Sequence, residues 1–341
     1  MSEPEICKRY PFNLFALMTR GVIWTQRKAF AKLRPEASIN PLKPTLDADG
    51  ANRRIRELLS APEPCFIGRF GGIELDAIMR GVYIRDSASK FKKALRLFCG
   101  EGGPFWWDNS ILRNIELNAG FFPSTPENLL RFSDLMVEAA KEVDLLGSYS
   151  WANGERILTR GIRQPPEVCT LGQLSRFLSP DFWSPCLAGK KVLVIHPFAD
   201  TIKAQYARRE KLWPRPEILP EFDLKVVRAV SSLAGFKPPQ FDTWFDALEA
   251  MEREIAAVDF DIAIIGCGAY GFPLGAFIKR ELGRKAIHLG GITQIFFGIR
   301  GKRWDDQPGS LASVYNEYWV HPFDSDKPPC DLSTVERGCY W

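Results

Sequence analysis

Short apolar runs alternate along the chain with segments whose apolar residues recur every three or four positions. The apolar runs predict strands over residues 65–70, 144–149, 191–196, 224–229, 261–265 and 285–289. The periodic segments predict helices over residues 48–60, 73–81, 88–99, 126–142, 201–211 and 242–257. This alternation predicts an α/β fold with a mostly parallel sheet and helices on both of its faces.

A glycine-rich turn follows the strand predicted at 261–265. Gly266, Gly268 and Gly271 come before a helix that we expect to begin near residue 272. Glycines at this spacing let the chain turn sharply and approach a diphosphate without a Cβ in the way, and the helix start offers free N–H groups to an anion. We therefore expect these glycines, with Tyr270 between them, to bind a nucleotide diphosphate. A purely structural strand-to-helix connection is the alternative.

A second glycine turn follows the strand predicted at 285–289. Gly290 and Gly291 come directly after this strand, and Gln294 lies shortly beyond them. Because the carboxyl ends of parallel strands meet at one edge of a sheet, where such folds bind their ligands, both turns should open on the same site. The C-terminal part of the sheet is therefore predicted to be Rossmann-like, with these three residues binding a nucleotide sugar.

The same region argues against a dinucleotide dehydrogenase. Those enzymes place an acidic residue about 20 residues beyond the glycines, where it binds the ribose hydroxyls. Here the strand ends in His288 and Leu289, and no acidic residue lies between Glu281 and Asp305. We therefore expect no NAD cofactor.

An arginine, two glycines and a glutamate mark the end of the first predicted strand. Arg69, Gly71, Gly72 and Glu74 stand where an α/β sheet presents the residues of its site. The carboxylate of Glu74 is a candidate general base for a hydroxyl or a ligand for a divalent metal. The structural alternative is a salt bridge between Arg69 and Glu74, with the acid favoured by the helix dipole.

Histidines and a basic run supply further polar candidates. His196 ends a predicted strand, where it can contact a diphosphate, act as a catalytic base, or simply cap a turn. Arg300, Lys302 and Arg303 follow the second glycine turn, and they are either a phosphate clamp or a solvated loop. His288 lies within an apolar strand, which favours a core histidine whose hydrogen bonds are satisfied.

Motifs near both ends of the chain resemble those of the GT-D class of glycosyltransferases, which is associated with bacterial surface polysaccharide synthesis. The string over residues 69–74 is similar to the acidic motif of the nucleotide-sugar site in that class. The strings over 267–273, 288–291 and 338–341 look like those of GT-D-like proteins. Each motif is short, and the resemblance does not extend to the middle of the chain.

The resemblance implies an activity, a cofactor and partners. In that class the acidic motif continues as Asp-x-Glu, and its first acid corresponds to Gly72, so only Glu74 carries over. The class implies Mn²⁺ or Mg²⁺ held at Glu74, and the glycine argues against that metal. The expected reaction is transfer of a sugar from a nucleoside diphosphate sugar, with UDP as the expected carrier, to a glycan or lipid-linked glycan. Glu74 and His196 are the expected catalytic residues.

Composition excludes several other classes of protein. The 341 residues are 45% hydrophobic, so a large core can form, and the net charge of +4 is too small for a general nucleic-acid binder. The eight cysteines and three histidines lack the spacing of a zinc site or a disulfide framework. Because the chain begins without a signal-peptide pattern and has no apolar run of transmembrane length, we expect a cytoplasmic protein.

The first residues form a basic arm. Between Ile6 and Pro35 there are seven Lys or Arg residues and no acidic residue. A helix over 12–34 would be amphipathic and basic, so it would lie on the anionic inner face of a membrane or dock on its own domain. The predicted segments are an arm and linker (1–46), an N-terminal α/β half (47–189), a nucleotide-binding half (190–304) and an irregular wrap (305–341).

Two other functions remain open on the sequence alone. The glycine spacing also fits a nucleotide-dependent oxidoreductase or epimerase, against which the missing ribose acid counts. The glycine at position 72 also fits a non-catalytic scaffold of a polysaccharide assembly, in which the glycine turns have lost their ligand.

Overall fold

One sheet of seven parallel strands organises the described part of the chain. The computed structural model describes residues 42–341 except 100–101, 150–152, 160–161, 163, 308 and 336–337, so the helix predicted over 12–34 lies outside the described residues. The strands are β1 (Phe66–Gly68), β2 (Leu145–Ser148), β3 (Glu167–Thr170), β4 (Lys191–His196), β5 (Asp223–Arg228), β6 (Ile262–Ile265) and β7 (Lys285–His288). Their order is β3-β2-β1-β7-β6-β4-β5, and every pairing is parallel. The predicted α/β fold is confirmed.

Helices connect the strands and cover the sheet. They are α1 (Ala48–Ser60), α2 (Gly72–Arg85), α3 (Lys90–Phe98), α4 (Asn109–Ala119), α5 (Pro126–Ala140), α6 (Asn153–Thr159), α7 (Ala199–Tyr206), α8 (Trp244–Ala256), α9 (Gly271–Arg280), α10 (Thr293–Phe296) and α11 (Lys302–Asp306). Side chains of Asp47, Thr125 and Thr243 cap α1, α5 and α8 by accepting hydrogen bonds from main-chain N–H groups. None of the described helices is both long and apolar enough to cross a membrane.

The sheet separates two apolar cores. Helices α2, α4, α5, α8 and α9 contribute to the core on one face, whereas α1, α7 and α10 contribute to the core on the other. Strands β2 and β6 are buried along their whole length, as expected for strands covered on both faces. The chain leaves β4 through α7 on one face and leaves β6 through α9 on the opposite face, and this reversal between neighbouring strands marks the usual ligand-binding edge.

Strands from both predicted halves belong to the same sheet. Strand β1, from the segment 47–189, pairs in parallel with β7, from the segment 190–304. The wrap over 305–341 contains short 3₁₀ turns, and it packs on the body through buried residues such as Trp319 and Cys339. This arrangement brings the ends of strands that are distant in sequence to one edge of the sheet.

Candidate functional site

A cavity of about 590 Å³ lies at the carboxyl edge of the sheet. Its lining includes residues that follow each of the seven strands, and its size is typical of small-molecule sites. Two arginines and one glutamate are the charged residues among the described lining, which favours an anionic ligand. The predicted site residues that line the cavity are Arg69, Gly71, Gly72, Glu74, His196, Gly266, Gly268, Tyr270, Gly290, Gly291 and Gln294.

Glu74 lies at the cavity in the first turn of α2. Gly71 is the N-cap of this helix and makes no side-chain cap hydrogen bond. The carboxylate of Glu74 folds back over Gly71, and its nearest oxygen lies 1.8 Å from where a Cβ on Gly71 would be. Only glycine at position 71 leaves this space for the carboxylate. A Cβ on Gly72, by contrast, would meet no atom within 4 Å, so position 72 faces open space.

Few potential metal ligands surround Glu74 in the described part of the chain. Among the described residues that line the cavity, Glu74 is the sole carboxylate. Asp76 pairs instead with Arg80, with 3.3 Å between Oδ1 and Nε. Nowhere in the described ranges do three His, Cys, Asp or Glu side chains come together as a metal would need. A divalent cation would therefore take most of its ligands from substrate phosphates and water.

Arg69 presents a cation at the end of β1. Its Nη2 donates a hydrogen bond to the Tyr149 hydroxyl, and its Cζ lies 5.5 Å from the centre of that ring. Its Nη1 lies 2.4 Å from where a Cβ on Gly290 would be, and the φ of Gly290 is +71°. Glycine at 290 thus permits both a left-handed backbone and the close approach of the arginine. The Nε of Arg69 is buried and has no hydrogen-bond partner, while the residue lines the cavity and brings its positive charge there.

Glu155 is a buried carboxylate in α6 that binds the end of β2, where Tyr149 contacts Arg69. Its oxygens accept hydrogen bonds from the Ser148 hydroxyl and, at 3.2 Å, from the N–H of Tyr149. Burial raises the pKa of Glu155, whereas the two hydrogen bonds and the charge of Arg69 oppose that shift. Glu155 therefore fixes the end of β2, and through Tyr149 the position of Arg69. No pattern in the sequence marks this residue.

His196 is a buried neutral imidazole at the end of β4. Burial lowers the pKa of His196 to about 3, so the ring is uncharged at neutral pH. Its Nδ1 accepts a hydrogen bond from the N–H of Phe198 at 3.0 Å, which caps the turn after the strand. The ring proton must then be on Nε2. Because the lone pair of Nδ1 already accepts this hydrogen bond, the geometry favours His196 as a hydrogen-bond donor rather than as a base.

His288 is also buried, which confirms the expected core position of this histidine. Its Nε2 lies 2.4 Å from where a Cβ on Gly271 would be, so the absence of a side chain at the start of α9 makes room for the ring. Burial, and then the nearby charge of Arg69, lower the pKa of His288 to about 3.

The first glycine turn is partly open and partly packed. Gly268 has a φ of +58°, and a Cβ there would meet only the Ala119 carbonyl oxygen at 3.5 Å, so the turn is open at this residue. Gly266 is packed against the side chain of Thr293. The ring of Tyr270 is almost fully buried and stacks on Trp244 with 4.8 Å between ring centres. Tyr270 is therefore part of a rigid wall rather than an exposed stacking platform.

Aromatic residues from α11 and from the end of the C-terminal wrap close one side of the cavity. This aromatic wall consists of Trp304, Tyr340 and Trp341. Gln294 attaches it to the sheet, because its Nε2 donates to the Tyr340 carbonyl at 3.2 Å, while its buried Oε1 has no partner. A Cβ on Gly291 would lie 2.6 Å from the Tyr340 ring. No pattern in the sequence predicts this wall.

The basic run differs from its prediction. Arg300 and Lys302 do not line the cavity. The Nε of Arg300 instead lies 2.9 Å from the Asp305 carboxylate, and its Cζ lies 4.9 Å from the Tyr315 ring centre. Arg303 lines the cavity in their place, with its Cζ 5.1 Å from the centre of the Tyr340 ring. Of the basic run, the structure therefore brings Arg303 to the cavity and leaves Arg300 and Lys302, which were expected to bind the nucleotide sugar, outside its lining.

Comparison with known proteins adds no family to this geometry. No protein-family model, no curated protein and no solved structure matches this chain. The function has to be argued from the cavity and its residues.

Proposed function

We propose that the protein is a glycosyltransferase that moves a sugar from a nucleoside diphosphate sugar to a hydroxyl of a glycan or lipid-linked glycan in surface polysaccharide synthesis. The observation that carries the proposal is that Glu74, Arg69 and both glycine turns line one cavity. A basic patch beside a carboxylate at the carboxyl edge of a parallel sheet is suited to an anionic donor with a reacting sugar. A cytoplasmic location, at the inner face of a membrane, belongs to the same proposal.

The diphosphate leaving group needs stabilisation of its negative charge. Arg69 and Arg303 line the cavity and supply positive charge there. The Nε2–H of His196 and the main chain at Gly268 add neutral donors on the neighbouring strand ends. Such fixed donors act strongly in a site from which water is excluded.

The acceptor hydroxyl needs a base, and Glu74 fills this role. The hydroxyl oxygen forms a bond to the anomeric carbon while the bond from that carbon to the diphosphate oxygen breaks. The electron pair leaves with the diphosphate, and the hydroxyl proton goes to the carboxylate of Glu74. Gly71 permits this position of the carboxylate, because a side chain there would occupy its space.

The nucleoside and sugar need flat surfaces and a fixed orientation. The aromatic wall and Tyr149 provide such surfaces on two sides of the cavity. Gln294 fixes the orientation of the aromatic wall, because its Nε2 donates to the Tyr340 carbonyl at 3.2 Å.

Release of a nucleoside diphosphate from its sugar tests this function. The purified protein should liberate the diphosphate from at least one donor in a panel of UDP, GDP and dTDP sugars, by transfer or by slow hydrolysis. Tight NADH binding without any such release would favour an oxidoreductase or epimerase. No release and no nucleotide binding, together with stable capture of a partner protein, would favour a scaffold.

A further inference from the structure

The short helix α3 exposes an apolar stripe to solvent. Phe91 is 80% exposed, Leu95 51% and Phe98 46%, and Trp106, which follows the helix, is 39% exposed. Four of the five large hydrophobic side chains that are exposed in the described ranges thus belong to this one region. An apolar group of this kind on a protein surface marks an interaction site.

The stripe follows from how α3 is seated. Leu97 is the buried residue of the helix, so its side of α3 faces the protein. Phe91, Leu95 and Phe98 are four and three residues apart, which places them along one line of the helix surface. This line lies about 100° or more around the helix from Leu97, as expected for residues that point into solvent.

Positive charge borders the apolar stripe. The helix carries Lys90, Lys92, Lys93 and Arg96, and it contains no acidic residue. Lys93 is used within the protein, because its Nζ donates to the Ile84 carbonyl at 3.0 Å, and Arg96 pairs with Asp86. Lys90 and Lys92 are exposed beside the aromatic side chains. Phenylalanine and leucine on one side with lysine on the other is the pattern of a helix that lies in a lipid headgroup region.

We propose that α3 and Trp106 bind the surface of an anionic phospholipid bilayer. The apolar stripe enters the boundary between headgroups and acyl chains, while Lys90 and Lys92 contact lipid phosphates. The charge selects this partner: the arm over 12–34 is basic too, and a second copy of α3 would bring the same cations together. No residue of α3 lines the cavity, so the proposal stands independently of the glycosyltransferase assignment.

Co-sedimentation of the full chain with vesicles tests the proposal. Binding to vesicles of phosphatidylcholine mixed with phosphatidylglycerol should exceed binding to phosphatidylcholine alone by at least tenfold. Added salt should weaken the binding, because it screens the attraction between lysines and lipid phosphates.

Matched variants assign the binding to α3. The double substitution Phe91→Ser and Leu95→Ser should lower vesicle binding at least tenfold, whereas Phe323→Ser, at the remaining exposed hydrophobic side chain, should leave it unchanged. Lys90→Gln with Lys92→Gln should remove the preference for anionic vesicles. These side chains are exposed, so the variants should keep the thermal unfolding midpoint of the wild type.

Two results would overturn the proposal. If the Phe91 and Leu95 double variant binds anionic vesicles as well as the wild type does, the membrane contact lies elsewhere, with the arm as its source. If the wild type ignores vesicles but forms a dimer by light scattering that the double variant does not form, the stripe is a contact between copies of the chain.

Discussion

The two glycine-bearing sides of the cavity use glycine for different purposes. At the end of β1, Gly71 makes room for a carboxylate and Gly72 faces open space. At the end of β7, a Cβ on Gly290 would lie 2.4 Å from Arg69 and one on Gly291 would lie 2.6 Å from Tyr340. The β1 side is thus shaped around Glu74, whereas the β7 side is shaped around neighbouring side chains.

This difference changes how the glycine spacing should be read. The glycine spacing predicted turns whose main chain is exposed to a diphosphate. In the folded protein, Gly290 brings a cationic side chain to the cavity, and Gly271 admits the ring of His288. Of the glycines in the two C-terminal turns, Gly268 best fits the original expectation, because little would lie near its Cβ. Glycine spacing predicts the location of the site better than it predicts the groups that bind.

Replacing Glu74 should give the largest effect on activity. Glu74→Gln keeps the size and shape of the side chain but removes its ability to accept a proton. We expect sugar transfer to fall about 10²- to 10⁴-fold with an unchanged unfolding midpoint, because a positioned general base contributes that much. The control is Asp76→Asn, two residues further along the same helix and outside the cavity lining, which should retain activity. If a folded Glu74→Gln protein transfers sugar at the wild-type rate, Glu74 is not the catalytic base.

Gly71→Ala should break the β1 side by displacing the carboxylate of Glu74. We expect transfer to fall by as much as about 10²-fold, because a misplacement of about 1 Å has that effect on a catalytic group. Gly72→Ala should have little effect, since its Cβ enters open space. Steady-state kinetics of the two variants measure the difference. Equal losses of transfer in both variants would show that glycine is needed for the backbone at the start of α2 rather than for the position of the Glu74 carboxylate.

The buried histidines should make the protein sensitive to mild acid. His196 and His288 have a folded-state pKa of about 3, against an ordinary value of 6.5, so the unfolded chain binds more protons. Their contribution is fully present above pH 6.5 and is lost as the pH falls towards 3. Each histidine should lower the free energy of unfolding by about 2 kcal/mol as the pH falls from about 7.5 to about 5. Urea unfolding should show this slope, and His288→Leu should halve it. An unchanged slope would contradict the buried, neutral state of His288.

Gly290→Ala should break the β7 side by pushing Arg69 away from its position. We expect about tenfold weaker binding of the nucleotide, because a hydrogen bond to a charged group is worth about 1.5–3 kcal/mol and only part of it is lost. The positive φ adds a stability cost, which Gly283→Ala reports by itself, since Gly283 has a φ of +61° and no neighbour within 4 Å. Isothermal titration of both variants separates the two effects. Equal affinity in both would show that Arg69 does not bind the nucleotide.

Local signals in the sequence were sufficient for most of the fold. The strand predicted over 191–196 has the limits of β4, and the helix predicted over 48–60 has the limits of α1. Strand β3 was missed because it is an edge strand in which only Val168 and Cys169 are buried, so it lacks the apolar run that marks the other strands. Helix α4 was missed because it contains three asparagines, which are weak helix formers, and its stability comes from buried residues such as Ile111 and Ile115.

The site was predictable only where strand ends determine it. Parallel strands bring Glu74 and the glycine turns to one edge, and the sequence contains that information. It does not contain the contact between Gln294 and the Tyr340 carbonyl, which builds the aromatic wall from residues more than 40 positions apart. Arg303 rather than Arg300 lines the cavity, and this likewise depends on Asp305, which pairs with Arg300 outside the cavity. Such contacts arise from tertiary packing, which a local pattern does not specify.

Thermal unfolding with a panel of nucleoside diphosphates and their sugars, with and without Mn²⁺, tests the central claim most directly. A ligand that binds only the folded protein raises the unfolding midpoint by mass action. We expect at least one nucleoside diphosphate or its sugar to raise the midpoint of the wild type without Mn²⁺, and to raise that of Arg69→Gln much less. If no member of the panel shifts the wild type, or if Arg69→Gln shifts equally, the cavity is not a diphosphate site built around Arg69.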